Sequence, residues 1–243
     1  MKAFEFFSAK RQQFAQRAQA AFAQYKEAKK QRGMTLLEVI IVLGIIGTIA
    51  AGVVVLAQRA FDSRTVSEVV QSTNTIRVAI KDAYASSGAY PAYADPLSLT
   101  NDTILNTPSN GATSTLVKLG KVSVNEMRNK ISGDFYGIGA GLTSQNQQLA
   151  GAKGYVIEVN GLTSEQCRSI LTQVGNNWDY VEVAGSAAGS YSLSDTQAVN
   201  MTVNVDNTRI LRSLSSTASI TPNTIVGTCT NAGASNSLIL GSR

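Results

Sequence analysis

Apolar and polar positions divide the chain into stretches of different character. Residues 39–57 form a run of 19 residues without a charged side chain. As an α-helix this run would extend about 28 Å at 1.5 Å per residue, which matches the hydrocarbon core of a bilayer. A basic stretch, residues 1–33, precedes it, and an amphipathic stretch follows it. The pattern therefore predicts one membrane-spanning helix near the start of the chain.

The helical pattern continues beyond the apolar run, through residues 58–87. Apolar side chains recur there at spacings of three and four, which is typical of one buried stripe on a helix. The stripe comprises Val66, Val69, Val70, Ile76, Ala79, Ile80, Ala83 and Tyr84. Ser86, Ser87 and Gly88 end the pattern, and Pro91 prevents the helix from resuming. We predict one helix of about fifty residues, whose amphipathic half packs on a C-terminal domain.

Residues 88–243 have the mixed pattern of an α+β domain with an antiparallel sheet. Alternating apolar and polar positions predict strands at residues 155–159, 179–183, 201–205 and 237–240. Thr163 with Gln166, and Ser123 with Glu126, each fit the capping-box spacing that predicts the start of a helix.

Several other features of this domain have structural interpretations. Gly137, Gly139 and Gly141 lack the full G-x-G-x-x-G pattern of a nucleotide loop, and we interpret them as a flexible surface loop. Trp178 and Tyr180 are expected in the core or in subunit packing. Asp179 and Glu182 are expected on one strand without an acid–base partner. Arg209 and Arg212 are expected to be surface or inter-subunit charges.

The positive charge of the chain is confined to its first 33 residues. The net charge is +5, but residues 1–33 hold eight Lys or Arg and only two Asp or Glu, so the remainder carries −1. This distribution argues against nucleic-acid binding, which the total charge alone would favour. Residues 1–33 fit either a basic amphipathic helix on an anionic membrane surface or an unstructured leader. Basic residues just before the apolar run predict that this side stays cytoplasmic.

The composition disfavours the common catalytic and metal-binding sites. The chain has no histidine, which removes the commonest general base and metal ligand. Its two cysteines, Cys167 and Cys229, are too far apart for a C-x-x-C redox or metal motif. We therefore expect no catalytic residue, no metal site and no cofactor.

The junction between the basic and apolar stretches, Gly33-Met34-Thr35-Leu36-Leu37-Glu38-Val39, resembles the class III signal of type IV pilins. The resemblance combines Gly before the boundary, an apolar first mature residue, Glu at the fifth mature position and a retained apolar helix. The long leader and Met34 resemble the type IVb branch. The wider stretch is similar to the major pilins of conjugative thin pili and of toxin-coregulated and enteric colonisation pili.

The resemblance implies the type IV pilin fold, a long N-terminal helix packed on a head with an antiparallel sheet. It implies a filament subunit, cut between Gly33 and Met34 by a membrane prepilin peptidase and N-methylated at Met34. The domains are then a leader at 1–33, a transmembrane half-helix at 34–57, an amphipathic half-helix at 58–87 and a head at 88–243. Val55 replaces the Pro of the type IVa branch, which leaves Gly44, Gly47 and Gly52 as candidates for local unwinding on assembly.

Glu38 has two compatible interpretations. Thr35 and Glu38 fit a capping box, and a carboxylate near a helix N-terminus is favoured by the helix dipole. A carboxylate within a bilayer also points to a functional partner. The resemblance supplies one, the amino terminus of Met34 on a neighbouring subunit, and we favour this assembly role over capping alone.

Cys167 and Cys229 lie in the part that is predicted to be exported, where cysteines usually pair. The resemblance implies the same disulfide, which bounds a variable surface region in this family. The pairing is therefore expected to be structural.

The partners that follow are copies of the same chain in a helical filament, the prepilin peptidase, the inner-membrane assembly machinery, the inner membrane itself, and a recipient or host cell surface. The protein is expected as an inner-membrane prepilin with a periplasmic head, then as an extracellular pilus for attachment, aggregation or conjugative contact. A type II secretion pseudopilin or a minor pilin is the nearest alternative. A membrane-anchored periplasmic enzyme or sensor is the alternative from another class.

Overall fold

A computed structural model of the chain describes residues 35–106, 111–216 and 218–243. The predicted leader, the Gly33–Met34 junction and the turn around Pro108 lie outside these residues. Helix α1 spans Leu36–Tyr84, which agrees with the predicted long helix. The chain divides into two compact units between Ala57 and Gln58. We call residues 36–57 the apolar segment and Gln58–Arg243 the head unit.

After α1, the head unit contains short helices and the strands of one mixed sheet. The elements are α2 (Thr103–Asn106), α3 (Ala112–Lys118), β1 (Gly137–Leu142), β2 (Gly154–Leu162), α4 (Ser164–Val174), β3 (Tyr180–Ala184), β4 (Val199–Asn200), β5 (Ile210–Arg212), α5 (Pro222–Val226) and β6 (Asn236–Ser242). Among the described residues the strands form one sheet of order β4-β1-β2-β6-β3-β5. Neighbouring strands pair antiparallel, except for the parallel pair β1–β4.

One face of the sheet, here called the helix face, forms the main core with α1. The buried residues of α1 in the head unit are Val66, Val69, Ser72, Thr73, Ile76, Ala79 and Ile80. These include most of the predicted apolar stripe, and Val70, Ala83 and Tyr84 pack against the same core while partly exposed. Burying a valine or isoleucine side chain contributes about 2 kcal/mol to stability. The stripe is therefore a major source of head-unit stability.

Arg77 of α1 joins the helix to the end of the sheet through polar contacts. Its Nη1 donates a hydrogen bond of 2.8 Å to the carbonyl of Asn177. Its guanidinium carbon lies 4.8 Å from the ring centroid of Trp178, which is fully buried. This confirms the expectation that Trp178 packs in the core.

The two capping boxes predicted within residues 88–243 have different outcomes. At Thr163 the box is complete, because Gln166 N donates to Thr163 Oγ1 at 3.3 Å and Thr163 N donates to Gln166 Oε1 at 3.1 Å. Helix α4 follows it. At Ser123 the box is also formed, because Glu126 N donates to Ser123 Oγ at 3.2 Å and Ser123 N donates to Glu126 Oε2 at 3.1 Å. Only a turn follows it. The helix predicted at that position is wrong.

The interpretation of the glycine triad as a surface loop is wrong. Gly137, Gly139 and Gly141 all belong to β1, where they face away from the helix face, and all three are buried. An added Cβ on Gly137 would lie 2.9 Å from Tyr191 Cδ1, and one on Gly139 would lie 3.0 Å from Tyr93 Cβ. The missing side chains thus let aromatic residues pack directly on the strand.

The strand predicted at 201–205 is also wrong. The chain forms only β4 at Val199–Asn200 and then bends, because Asn200 Oδ1 accepts a hydrogen bond of 2.9 Å from Thr202 N. Met201 is fully buried. A Cβ added to Gly141, Gly154 or Gly241 would come within 3 Å of its side chain. The other predicted strands lie within or overlap β2, β3 and β6.

The predicted disulfide between Cys167 and Cys229 is present. The Cα atoms are 6.1 Å apart, within the range that a disulfide spans, and both residues are buried. The bond connects α4 to the loop between α5 and β6, and it closes a long loop because the cysteines are 62 positions apart.

The packing on β1 predicts that Gly137→Ala destabilises the head unit. The added methyl group would contact the ring of Tyr191, and overpacking of this kind costs about 1–3 kcal/mol. Urea unfolding of the full chain in detergent measures the change. Gly151→Ala is the matched control, since a Cβ there meets no atom within 4 Å. Equal stability of the two variants would contradict this account.

Loss of the disulfide should destabilise the head unit more strongly. The loop-entropy model gives about 4 kcal/mol for a closed loop of this length. The variant Cys167→Ser with Cys229→Ser removes the bond without leaving a free thiol, and its urea midpoint is compared with that of the oxidised parent. Adding a reductant should lower the parent's midpoint and leave the double variant unchanged. A parent midpoint that is insensitive to reductant after full reduction of the bond would refute a stabilising role.

Candidate functional site

The apolar segment is the most unusual surface of the chain. Its most apolar window of 18 residues has a mean hydropathy of 2.9, and none of that window is buried. The exposed large side chains are Leu36, Leu37, Ile40, Ile41, Val42, Leu43, Ile45, Ile46, Ile49, Val53, Val54, Val55 and Leu56. A soluble monomer rarely exposes a contiguous apolar surface of this extent. By length and composition the segment can cross a membrane, and either lipid or other protein chains must cover it.

Glu38 carries the only charge of the apolar segment. Its backbone N–H donates a hydrogen bond of 3.2 Å to Thr35 Oγ1, so Thr35 caps the start of α1. The backbone N–H of Val39 donates to the carbonyl of Thr35, also at 3.2 Å. Glu38 lies in the first turn, where the helix dipole favours a carboxylate. The side chain of Glu38 is exposed.

The described residues contain no partner for the carboxylate of Glu38 at hydrogen-bond or ion-pair distance. Gly33 and Met34 lie outside the described part of the chain, so the predicted cleavage junction has no described geometry. The structure therefore shows the capping role of Thr35 directly. The pairing of Glu38 with the amino group of Met34 stays a prediction about subunits in contact.

The head unit holds an ion pair between a buried acid and an exposed arginine, which the sequence did not indicate. Glu182 on β3 is 4% exposed, and its Oε1 accepts hydrogen bonds from Arg209 Nε at 2.7 Å and Arg209 Nη2 at 2.6 Å. Its Oε2 accepts a bond of 2.6 Å from the hydroxyl of Tyr180. Burial, with the nearby Glu182 charge, raises the pKa of Tyr180 well above its usual value. Arg209 is thus a surface residue that forms an ion pair with a buried acid.

A second buried acid, Glu158, lies at the middle of β2 and is fully buried. Its carboxylate accepts hydrogen bonds from the backbone N–H groups of Ser192 and Leu193 at 2.9 and 3.1 Å. Burial raises the pKa of Glu158 above its usual value, and these hydrogen bonds partly oppose the shift. Sequence reasoning missed this residue. The alternation at residues 155–159 predicts a strand, but the segment that covers Glu158 is remote in sequence.

These polar groups bind other parts of the same chain, and none forms a recognisable reaction centre. In the described ranges no three His, Cys, Asp or Glu side chains cluster as metal ligands do. The two buried carboxylates have backbone N–H groups or a guanidinium as partners, which suits a structural role.

Two protein-family models match the chain. The model described as toxin-coregulated pilus subunit TcpA matches residues 115–238, just over half of the chain. The model described as the prokaryotic N-terminal methylation motif matches residues 28–54, which include the Gly33–Met34 junction and Glu38. The two matches cover the head and the apolar segment independently.

Individual proteins agree with the family models. The toxin coregulated pilin of Vibrio cholerae is 42% identical over 165 residues, which cover 68% of this chain and 66% of that relative. The corresponding pilin of V. cholerae serotype O1 (El Tor Inaba) is 42% identical over 166 residues, covering 68% of each protein. The chain thus aligns with about two thirds of each relative's length.

The crystal structure of TcpA, a type IV pilin from the V. cholerae El Tor biotype, shares the fold. It superposes with a TM-score of 0.58 over 74% of this chain and 99% of that chain, at 24% sequence identity. The likeness confirms the predicted α+β architecture, a long N-terminal helix with a sheet-based head. At this sequence identity, the superposition supports a shared fold and no functional conclusion.

The matches have direct functional consequences. The methylation motif and the pilin relatives imply processing of a membrane-anchored precursor and polymerisation into a pilus. They argue against the two alternatives from the sequence, a type II secretion pseudopilin and a membrane-anchored periplasmic enzyme or sensor. The chain therefore belongs to the toxin-coregulated pilus subunit family of type IVb major pilins, which are structural subunits and not enzymes.

Proposed function

We propose that this pilin is made as a prepilin, cut between Gly33 and Met34, and N-methylated on Met34 by the prepilin peptidase. The mature chain then polymerises into a helical thin pilus with the help of an inner-membrane assembly machinery. In the filament, Glu38 of one subunit pairs with the amino group of Met34 of its neighbour.

The observation that carries this proposal is the exposed apolar segment with its single carboxylate. A carboxylate costs about 3 kcal/mol at the centre of a bilayer and less near the interface. A new amino terminus at Met34 would precede Glu38 by four residues, about one helical turn. Opposite charges 4 Å apart gain about 4 kcal/mol at an effective dielectric constant of 20, before desolvation. Pairing between subunits can therefore offset the burial of Glu38 when a subunit leaves the lipid.

The charge distribution supports one membrane orientation for the precursor. Lys29, Lys30 and Arg32 precede the apolar segment and favour the cytoplasmic side, which leaves the head in the periplasm. The disulfide between Cys167 and Cys229 agrees with folding in an oxidising compartment. The subunit then moves from the inner membrane into an extracellular filament.

The filament serves cell attachment, aggregation or conjugative mating contact, with a recipient or host cell surface as the partner. Helix α1 continues through Gly44, Gly47 and Gly52, where an added Cβ would meet no atom within 4 Å. Local unwinding there on assembly, with Val55 in place of proline, remains part of this proposal.

Removal of the Glu38 carboxylate tests the assembly role. Glu38→Ala should reduce the yield of sheared filaments at least tenfold, because the neighbour's amino terminus loses its partner, while the amount of membrane-bound subunit stays normal. The matched control is Glu68→Ala, which removes an exposed acid of the same helix that pairs with Arg64. Wild-type filament yield from Glu38→Ala would show that the pairing does not drive assembly.

Processing is tested by N-terminal sequencing and intact mass of sheared filaments. The expected chain starts at Met34, carries one added methyl group and contains the disulfide. Gly33→Leu should keep the leader attached and leave the subunit in the inner membrane. Filaments made of full-length chains would overturn the cleavage proposal, and an unmodified Met34 would overturn the methylation alone.

A further inference from the structure

A cavity of about 340 Å³ lies between α1 and the start of α4, wholly within the head unit. Its α1 wall consists of four residues at spacings of three and four, which place them on one face of the helix: Arg59, Asp62, Ser63 and Val66. Val66 is buried in the main core, whereas the three polar residues are exposed. The cavity therefore opens where the buried stripe of α1 reaches the surface.

The α4 wall of the cavity combines a fixed backbone with unused hydrogen-bond donors. It includes Thr163 and Gln166, which form the complete capping box, together with Glu165 and Ser169. The side-chain amide nitrogen of Gln166 and the hydroxyl of Ser169 donate to no other described residue. This wall can therefore hold a polar ligand without giving up hydrogen bonds within the head unit.

The cavity brings together three charges that have no partner in the described part of the chain. Arg59 contributes a guanidinium, and Asp62 and Glu165 contribute carboxylates. None of the three takes part in an ion pair or a side-chain hydrogen bond with another described residue. By contrast, Arg64 and Glu68, further along the same helix, pair with each other at 2.9 Å. The cavity therefore presents charge of both signs to a molecule that enters it.

The α1 wall lies at the level of a membrane surface. Arg59 is the second residue after the apolar segment and the first charged residue after Glu38. At 1.5 Å per residue along the helix, Arg59 lies about 3 Å and Ser63 about 9 Å beyond the end of that segment. The polar headgroups of a bilayer occupy roughly 5–8 Å on each side of its hydrocarbon core. In a membrane-anchored precursor, these side chains therefore lie among lipid headgroups.

We propose that this cavity binds the headgroup of a membrane phospholipid that carries both a phosphate and a primary ammonium group, as phosphatidylethanolamine does. Arg59 pairs with the phosphate, while Asp62 and Glu165 pair with the ammonium group. The acyl chains remain in the bilayer beside the apolar segment, and Phe61, which is 67% exposed, lies at the boundary. The inference rests on the membrane-anchored precursor and is independent of cleavage at Gly33 and of filament assembly.

The charge and the size of the cavity select this class of lipid. Two carboxylates outnumber one guanidinium, so the purely anionic headgroup of phosphatidylglycerol would be repelled. The quaternary ammonium group of phosphatidylcholine has no N–H to donate to Asp62 or Glu165, whereas a primary ammonium group has three donors. A volume of about 340 Å³ lies at the lower end of the range for small-molecule sites, which suits a headgroup and not a whole lipid.

Native mass spectrometry of the full chain in detergent tests lipid binding. The chain is titrated separately with phosphatidylethanolamine, phosphatidylglycerol and phosphatidylcholine, and the fraction of subunits that retain a lipid is measured. Wild type should bind phosphatidylethanolamine about tenfold more tightly than either other lipid, because only this headgroup satisfies both signs of charge. Equal retention of the three lipids would show that only the apolar segment holds their acyl chains, and it would overturn the proposal.

Variants of the cavity test the two parts of the headgroup separately. Arg59→Gln should lower the affinity for phosphatidylethanolamine about tenfold, because the phosphate loses its cation. Asp62→Asn with Glu165→Gln should bind phosphatidylglycerol as well as phosphatidylethanolamine. The matched control, Arg64→Gln with Glu68→Gln, removes an exposed ion pair of the same helix outside the cavity and should keep the wild-type preference. A preference that survives both cavity variants, or that is lost in the control, would refute the site.

Hydrogen–deuterium exchange in nanodiscs distinguishes a lipid from a second subunit as the occupant. Peptides from residues 58–66 and 163–169 are compared in discs that contain phosphatidylethanolamine or phosphatidylcholine, with a single subunit or several subunits in each disc. Slower exchange of both peptides in single-subunit discs that requires phosphatidylethanolamine supports the proposal. Exchange that slows only with several subunits, whatever the lipid, assigns the cavity to a neighbouring copy and overturns it, as does exchange that neither change affects. Because a single subunit forms no filament, this result is independent of the assembly role of Glu38.

Discussion

The packing of one helical stripe on one face of the sheet is the contact on which the head unit depends. Val69, Ile76 and Ile80 are fully buried between α1 and the strands. The same face of the sheet brings Ile157, Leu238 and Leu240 into this core. Since the stripe leaves the opposite surface of α1 to polar residues and to other contacts, one helix can serve two purposes. Its apolar segment suits a lipid or a filament core, and the rest of it holds a folded head.

The periodic parts of the chain could be predicted because their environment is encoded locally. The stripe of α1, the Thr163–Gln166 box and the alternation at 155–159 each depend on spacing within a few residues, and each is present in the structure. The cysteines were predicted to pair from their compartment and from the family resemblance, and the disulfide is present. The resemblance to pilins rested on one short junction, and the matches of the head then supported it from a separate region.

The parts that could not be predicted depend on contacts with remote segments. Strand β1 is rich in glycine because Tyr93 and Tyr191 pack on it, and neither residue is near it in sequence. Glu158 has the position of an exposed strand residue, but Ser192 and Leu193 cover it. Met201 was expected on a strand, yet its side chain fills the space left by glycines of three strands. In each case a partner more than thirty residues away decided the outcome.

The position of β6 has a consequence for how the subunit matures. This strand follows every other element in the chain, yet it lies between β2 and β3 at the centre of the sheet. Until it arrives, β2 and β3 have no common neighbour, and the loop that carries Cys229 is not held opposite Cys167. Sheets assembled from such distant segments form late, because the chain must first close large loops. A head unit that lacks β6 therefore cannot complete its sheet, and only a chain with this strand in place presents a finished surface for assembly.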